Sequence, residues 1–200
     1  WPVSLLYGVG ITFRNVCYDL GVFQATSFKL PTISVGNLSV GGTGKTPHVE
    51  YLLRLLSSDF RVATLSRGYG RKTRGFLLSN EDSSAADIGD EPRQFKQKFS
   101  KVPVAVDGKR VRGIKKLQTE HPELEAILLD DAFQHRSLKP GLSILLTDYA
   151  RPFIDDSLLP SGRLREFKSG RRRADIFIVT KTPVIFSPLE RRVLKERLRP

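Results

Sequence analysis

Methionine is absent from the 200 residues, and cysteine occurs once, at Cys17. A single thiol excludes an intrachain disulfide and a cysteine-rich metal site, which fits a reducing compartment. With no Met, Trp1 is not a natural start, and the sequence stops at Arg199-Pro200 directly after a helical pattern. The expectation is a fragment lacking sequence at both ends. No apolar run reaches the roughly 18 residues a membrane-spanning helix needs. Residues 1–23 lack the basic leader and compact apolar run of a secretory signal. Repeats and low-complexity segments are missing too. Acids are scarce: 21 Asp and Glu stand against 33 Lys and Arg, for a net charge of +12. That excess favours an anionic partner, whether nucleotide, nucleic acid, anionic lipid or phosphorylated substrate. The one dense basic run, Arg171-Arg172-Arg173, has no interleaved aromatic platform and sits in no known reader motif, which argues against nucleic acid.

What is present is enough apolar residue, 40% of the chain, to build one α/β domain. Residues 3–23 read as an amphipathic helix. Leu6, Val9, Phe13, Val16, Leu20 and Phe23 recur at steps of three and four, with Leu5, Ile11 and Tyr18 widening the surface. Such a stripe either packs on its own domain or lies on a membrane surface or lipid entrance. After Pro31, apolar strand patterns alternate with helical ones. Strands are expected at 32–38, 61–66, 102–107, 125–131, 142–148 and 174–180, and helices at 45–57, 90–99, 108–119 and 187–198. Residues 67–88 read as a long loop with a hairpin near Gly75-Phe76-Leu77. The alternation predicts a mostly parallel sheet with helices on both faces, and ligands at the carboxyl ends of its strands. The division expected is an N-terminal helix over residues 1–30 and a nucleotide-binding domain over 31–200.

Between the first strand and its helix lies Ser39-Val40-Gly41-Gly42-Thr43-Gly44-Lys45-Thr46. This is the phosphate-loop pattern G-x-x-x-x-G-K-[ST] with Ser39 in the first glycine's place. Its glycines let backbone N–H groups curl into an anion nest, and the helix behind adds its positive end. Lys45 then reaches the β- and γ-phosphates and Thr46 offers its hydroxyl to Mg²⁺. Pro47 is tolerable in the first turn, where no N–H partner is lost. A serine fits at 39 if φ stays negative there. The second half of such a site is a carboxylate at the end of a buried strand, and Ala126–Asp131 ends in Asp130 and Asp131. Guanine-reading loops carry N/T-K-x-D after a late strand. Here Thr180-Lys181-Thr182-Pro183 has no Asp, which favours ATP.

Four segments, GNLSVGGTGKTP (36–47), LSRGYGR (65–71), LLDDAFQHR (128–136) and LLPSGRLRE (158–166), with GDEP (89–92) and DIFIVTK (175–181), carry a resemblance over almost the whole chain. Together they resemble the tetraacyldisaccharide 4′-kinase family, P-loop kinases of lipid A synthesis in Gram-negative bacteria. The resemblance implies transfer of the γ-phosphate of ATP to the 4′-hydroxyl of an acylated disaccharide 1-phosphate, forming lipid IVA. It implies a peripheral protein on the cytoplasmic face of the inner membrane, with a smaller C-terminal lobe beyond the P-loop lobe. It assigns Asp90 as the base that accepts the hydroxyl proton, and Glu166 to the Mg²⁺ shell beside Thr46, Asp130 and Asp131. Arg165 is assigned to phosphate, and His135 to an orienting or phosphate-contacting role, with Gln134 a weaker candidate. Ser66, Arg67, Tyr69 and Arg71 form a polar loop placed to touch nucleotide or acceptor headgroup. On residues alone, Asp90 reads equally as a helix N-cap ahead of Pro92, and Arg165-Glu166 as an exposed ion pair. Ala132 and Arg163 depart from the family's more usual Gly and Pro.

Overall fold

A computed structural model describes residues 2–199; Trp1 and Pro200, the terminal residues of the sequence reading, lie outside it. Helix α1 (Pro2–Asp19) precedes a seven-stranded sheet built from β1 (Thr32–Asn37), β2 (Val62–Ser66), β3 (Leu77–Leu78), β4 (Val104–Val106), β5 (Ala126–Asp130), β6 (Leu142–Asp148) and β7 (Ile176–Thr180). Between and after the strands run α2 (Lys45–Leu56), α3 (Ala85–Ile88), α4 (Asp90–Lys98), α5 (Arg110–Glu120) and α6 (Pro188–Leu198). The spatial order is β3-β4-β2-β5-β1-β6-β7. Every pairing is parallel except β3 with β4.

The parallel sheet follows from strands that are apolar on both faces. In β5, Leu128 points into the layer with Val35, Val49, Leu53 and Phe95 under α2 and α4. Its neighbours Ile127 and Leu129 point to the opposite layer with Leu65, Ile114 and Leu117 under α5. A third cluster, Leu38, Phe133, Leu145, Phe153, Leu158, Leu164 and Leu198, closes the sheet beneath α6. Each fully buried Leu, Ile or Phe contributes about 1.5–3 kcal/mol. Strand β1 pairs with β5 on one side and β6 on the other, with Val35 opposite Asp130 and Gly36 opposite Leu145. The loop leaving β1 and the acids ending β5 therefore emerge side by side.

Two expectations are corrected. Residues 75–77 form no local hairpin: Leu77 and Leu78 pair antiparallel with Val106 and Ala105 of β4, and Ser84 and Asp87 cap the short α3 reciprocally. The first helix stops at Asp19 rather than Phe23, because Gly21 turns the chain at φ 75° and the Phe23 N–H donates to the Cys17 carbonyl at 3.0 Å. The helix does pack on the domain, but not by its apolar stripe. Ser4, Gly8 and Cys17 are its buried residues, whereas Leu6 is 73% exposed, Phe13 68% and Leu20 75%. Gly8 sets the close approach: a Cβ there would lie 2.9 Å from Leu158 and 3.0 Å from Phe167. Tyr7 Oη donates to the Arg165 carbonyl at 2.8 Å, and Ser4 Oγ shares a 2.7 Å hydrogen bond with Ser161 Oγ.

Candidate active site

The phosphate loop is held open from three sides. Val40 N–H donates to the Arg163 carbonyl and Arg165 N–H to the Leu38 carbonyl, both at 2.8 Å, so Ser39 lies in an antiparallel bridge with Leu164. That extended backbone needs no positive φ, which is why a serine stands where the general pattern has glycine. Positive φ falls instead on Gly41 (109°) and Gly44 (85°), Gly44 being the residue that opens α2. Asn37 Nδ2 donates to Thr43 Oγ1 at 2.7 Å beneath the loop. Arg163, the departure at that position, braces the same frame by donating to Asp156 from its N–H at 3.1 Å and Nε at 3.3 Å.

A cavity of about 680 Å³ opens beside the loop. Lys45, Asp130, Asp131, Asp90, His135 and Arg165 all line it, with Val40 and Gly41 of the loop, Ser66 ending β2, Arg67 and Tyr69 after it, and Tyr7, Ile11 and Arg14 of α1. Residues up to 158 positions apart, Tyr7 and Arg165, are thus brought to one site. Lys45 Nζ lies 3.9 Å from Asp131, whose two carboxylate oxygens also accept Arg165 Nη1 at 2.9 and 2.8 Å. Asp131 takes a left-handed conformation, φ 48°, which turns its side chain off the end of β5. Such a conformation costs a non-glycine residue about 1 kcal/mol or more.

Asp130 is fully buried, and its Oδ1 has no hydrogen-bond partner. Burial, and then the charges of Glu91 and Asp131, push its carboxyl up to about 7 against the opposing pull of Lys45 and Arg110. A buried carboxylate with a free lone pair, a second carboxylate beside it and a hydroxyl nearby suits a divalent cation. The hydroxyl is Thr46 Oγ1, which donates to Glu91 at 3.1 Å. Among the described residues no group of three or more His, Cys, Asp and Glu is placed to hold a metal ion by itself.

Sequence reasoning missed Glu91 and Arg110. Arg110 is fully buried and donates to the Asp107 carbonyl at 2.6 Å and the Asp130 carbonyl at 3.3 Å. Burial draws its guanidinium down to about 10. The only sequence cue was an arginine opening a helix whose inner face is otherwise apolar. His135 is drawn down to about 4 by burial, then by Arg110 and Arg67, so it stands as a neutral imidazole at physiological pH. Asp90 is the first residue of α4, with Gly89 as the cap at φ 93°, so its carboxylate faces the cavity rather than capping the helix.

Two expected members stand elsewhere. Arg71 turns away from the cavity to donate to the Gly75 carbonyl at 2.7 Å, tying the loop after β2 to itself. Glu166 is neither exposed nor presented to the cation ligands. It is fully buried and accepts Arg173 on both oxygens at 2.8 Å, with Asn15 and Gln134 each at 3.3 Å. Arg173 in turn lies 4.6 Å over the Phe133 ring. The basic run is therefore not a uniform solvated face, since its last member is folded inward.

A phosphate loop after β1, an acid pair at the end of the adjacent central strand β5 and a shared cavity define a P-loop nucleotide-binding protein. The comparisons narrow this class. The family model for tetraacyldisaccharide-1-P 4′-kinase matches residues 1–197, and the chain belongs to that family. It is 55% identical over 199 residues to the tetraacyldisaccharide 4′-kinase of Bacteroides fragilis (strain YCH46), covering 99% of this chain and 53% of that protein. It is 55% identical over 183 residues to that of Flavobacterium johnsoniae, covering 92% of this chain and 54% of the relative. Among solved structures, LpxK from Aquifex aeolicus in complex with ATP superposes with TM-score 0.83 at 39% identity, over 94% of this chain and 61% of that one. The chain thus spans about half the length of the curated relatives it matches.

Proposed function

We propose that the protein containing this chain transfers the γ-phosphate of ATP to the 4′-hydroxyl of a tetraacyldisaccharide 1-phosphate, forming lipid IVA. The observation that carries the reading is the single cavity holding Lys45, the Asp130–Asp131 pair and Asp90. In it, a phosphate-binding wall and a candidate base face one another. Phosphoryl transfer asks mainly for positioning and charge. The loop amides and Lys45 hold the β- and γ-phosphates. Asp130, Asp131 and Thr46 would hold Mg²⁺, which would supply neutralisation of phosphate charge. Glu166 is left out of that set, because its carboxylate is committed to Arg173.

Asp90 accepts the proton of the 4′-hydroxyl as its oxygen forms the new bond to phosphorus. The bond from phosphorus to the β–γ bridging oxygen breaks, and ADP leaves. Arg165, released from Asp131 or shared with it, stabilises charge on the equatorial oxygens. Neutral His135 orients a phosphate or hydroxyl by hydrogen bonding without adding charge. Arg67 and Tyr69 face the acceptor's anionic sugar end.

The acceptor is acylated, and α1 is the element that meets it. Its outward stripe of Leu5, Leu6, Val9 and Phe13 is exposed, as is Leu20 just beyond it, while its inward Tyr7, Ile11 and Arg14 line the cavity. Among the described residues, no helix is long and apolar enough to cross a membrane. The helix lies on the cytoplasmic face of the inner membrane as a peripheral contact. Basic residues near an anionic surface add about 1 kcal/mol each. The test is transfer of labelled γ-phosphate from ATP to a tetraacyldisaccharide 1-phosphate by the full-length protein, with Asp90→Ala beside it. Labelled lipid from the wild type and almost none from the variant is the expected result. Label recovered only as free phosphate would overturn it.

A further inference from the structure

Glu50 is a buried carboxylate that the phosphoryl transfer above does not use. It lies on α2 one turn behind Thr46 and is 6% exposed. Its Oε1 accepts Gln94 Nε2 at 2.6 Å and Lys98 Nζ at 2.7 Å, both from α4. Its Oε2 accepts Arg54 Nη2, one turn further along α2, at 3.3 Å. Burial alone would raise this carboxyl. The hydrogen bonds from Lys98 and Gln94, with the charges of Lys98 and Arg54, outweigh burial and hold it below the usual carboxylate range.

These links belong to two facing rows. Thr46, Glu50 and Arg54 follow at steps of four along α2, and Glu91, Gln94 and Lys98 at steps of three and four along α4, so each set shares one helix face. Thr46 meets Glu91 at 3.1 Å beside the cavity, and Glu50 meets Gln94 and Lys98 behind it. Past the end of α4, the Arg54 guanidinium lies 5.7 Å from the centre of the Phe99 ring. Alongside the rows the two helices share an apolar layer, with Phe95 of α4 and Val49 and Leu53 of α2 in it.

A carboxylate is a poor source of stability at such a position, since an apolar side chain of similar volume often serves as well as a buried ion pair. What it adds is direction: charge-assisted hydrogen bonds of set length and angle to a second helix. The two helices it joins are the ones whose first residues make the site. Lys45 opens α2 at the phosphate loop, and Asp90 opens α4. The apolar contact at Phe95 is non-directional, so by itself it permits α4 to tilt. Asp90 lies five residues from Phe95, roughly 7.5 Å along the helix axis. A tilt of about 8° about Phe95 moves Asp90 by about 1 Å, and a misplacement of that size costs up to about a hundredfold in rate.

We infer that Glu50 is a positioning residue: by holding α4 against α2, it fixes where the Asp90 carboxylate stands relative to the phosphate wall at Lys45. This role rests on the phosphoryl-transfer reading above, with Asp90 as the base, and adds what keeps that base in place.

The experiment is a double-mutant cycle on the full-length protein, read by transfer of labelled phosphate to the tetraacyldisaccharide 1-phosphate and by calorimetric binding of ATP. Glu50→Met keeps the length of the side chain and cuts its links. Lys98, whose side chain is 45% exposed, then turns into solvent and is not stranded. Melting curves check that each variant is folded. Glu50→Met is expected to lower kcat roughly tenfold, with KM and affinity for ATP changed less than about twofold. In the Asp90→Ala background the same substitution should lower kcat no further, because the base it positions is gone. Exchanging the charges, Glu50→Lys with Lys98→Glu, restores a bridge between the helices and should recover most of the lost kcat. An unchanged kcat in Glu50→Met, an equal loss in both backgrounds, ATP binding that weakens in step with kcat, or a charge exchange no better than the single variant would each overturn the positioning role. A wild type that transfers no phosphate to lipid, or an Asp90→Ala variant as active as wild type, would instead sink the transfer reading, and this inference with it.

Discussion

Asp130→Asn removes a charge that burial disfavours, and it is expected to make the unliganded protein more stable. The carboxyl rises from 3.8 to about 7 on folding, chiefly through burial. An acid whose folded value is raised binds protons more tightly when folded, so stability falls as pH rises through that interval. The shift is about 3.2 units, at about 1.36 kcal/mol each, or roughly 4 kcal/mol in full. At pH 8 almost all of that penalty applies, and at pH 5 less than about half remains. Asparagine matches the shape, carries no charge and adds no new volume. His135 runs the opposite way, its value drawn down to about 4, so its contribution is lost as pH falls through its ordinary value toward 4. It is common to both proteins, so the difference between them isolates Asp130. The assay is urea unfolding of the unliganded wild type and variant at several pH values from 5 to 8. The variant's advantage should grow with pH and should shrink when Mg²⁺ and ATP are added, since only the wild-type carboxylate is relieved by a cation. A variant less stable than wild type at pH 8, or a pH-independent difference, would refute the reasoning. Phosphate transfer should meanwhile collapse, the ordinary exchange of stability for function at a charged site.

The remaining predictions concern separate parts of the machine. Lys45→Ala should lower transfer by roughly two orders of magnitude or more and weaken nucleotide binding, whereas Asp90→Ala should lower transfer comparably and spare binding; calorimetry with ATP beside the transfer assay separates them. Leu6→Glu with Phe13→Glu should change stability by only about 0.5 kcal/mol, since both side chains stand in solvent, yet should abolish flotation with anionic vesicles. Glu166→Gln leaves the partly buried Arg173 without its counter-charge and should cost about 1.5–3 kcal/mol in urea unfolding. Glu166→Gln with Arg173→Met should cost less than the single change, because the stranded charge is gone.

The phosphate loop was legible because its chemistry is local. Strand, glycines, Lys45, Thr46 and helix follow one another along the chain, and only a short stretch of backbone is needed to assemble them. The acid pair was legible for the same reason, since an apolar strand ending in two carboxylates is visible in seven residues. The parallel sheet followed from strands that are apolar on both faces and separated by helices. The oddity at Ser39 was legible only in part. That φ had to be negative could be stated in advance, but the bridge to Leu164 that makes it so comes from 125 residues away.

What the sequence determined by itself was therefore the alternation of elements, the nucleotide-binding loop and the family. Tertiary structure decided which charges meet. Arg110 beneath Asp130, Glu91 on Thr46, Arg173 holding Glu166 and Lys181 on Gly42 all join residues distant along the chain. No periodicity encodes such pairs, because each depends on two elements arriving at one place. It also decided the orientation of α1. A spacing of three and four residues shows that an apolar stripe exists, but it is silent on whether protein, water or lipid will cover it. Here Gly8 and Ser4 let the opposite face of the helix approach the domain closely, so the apolar side chains were left facing outward.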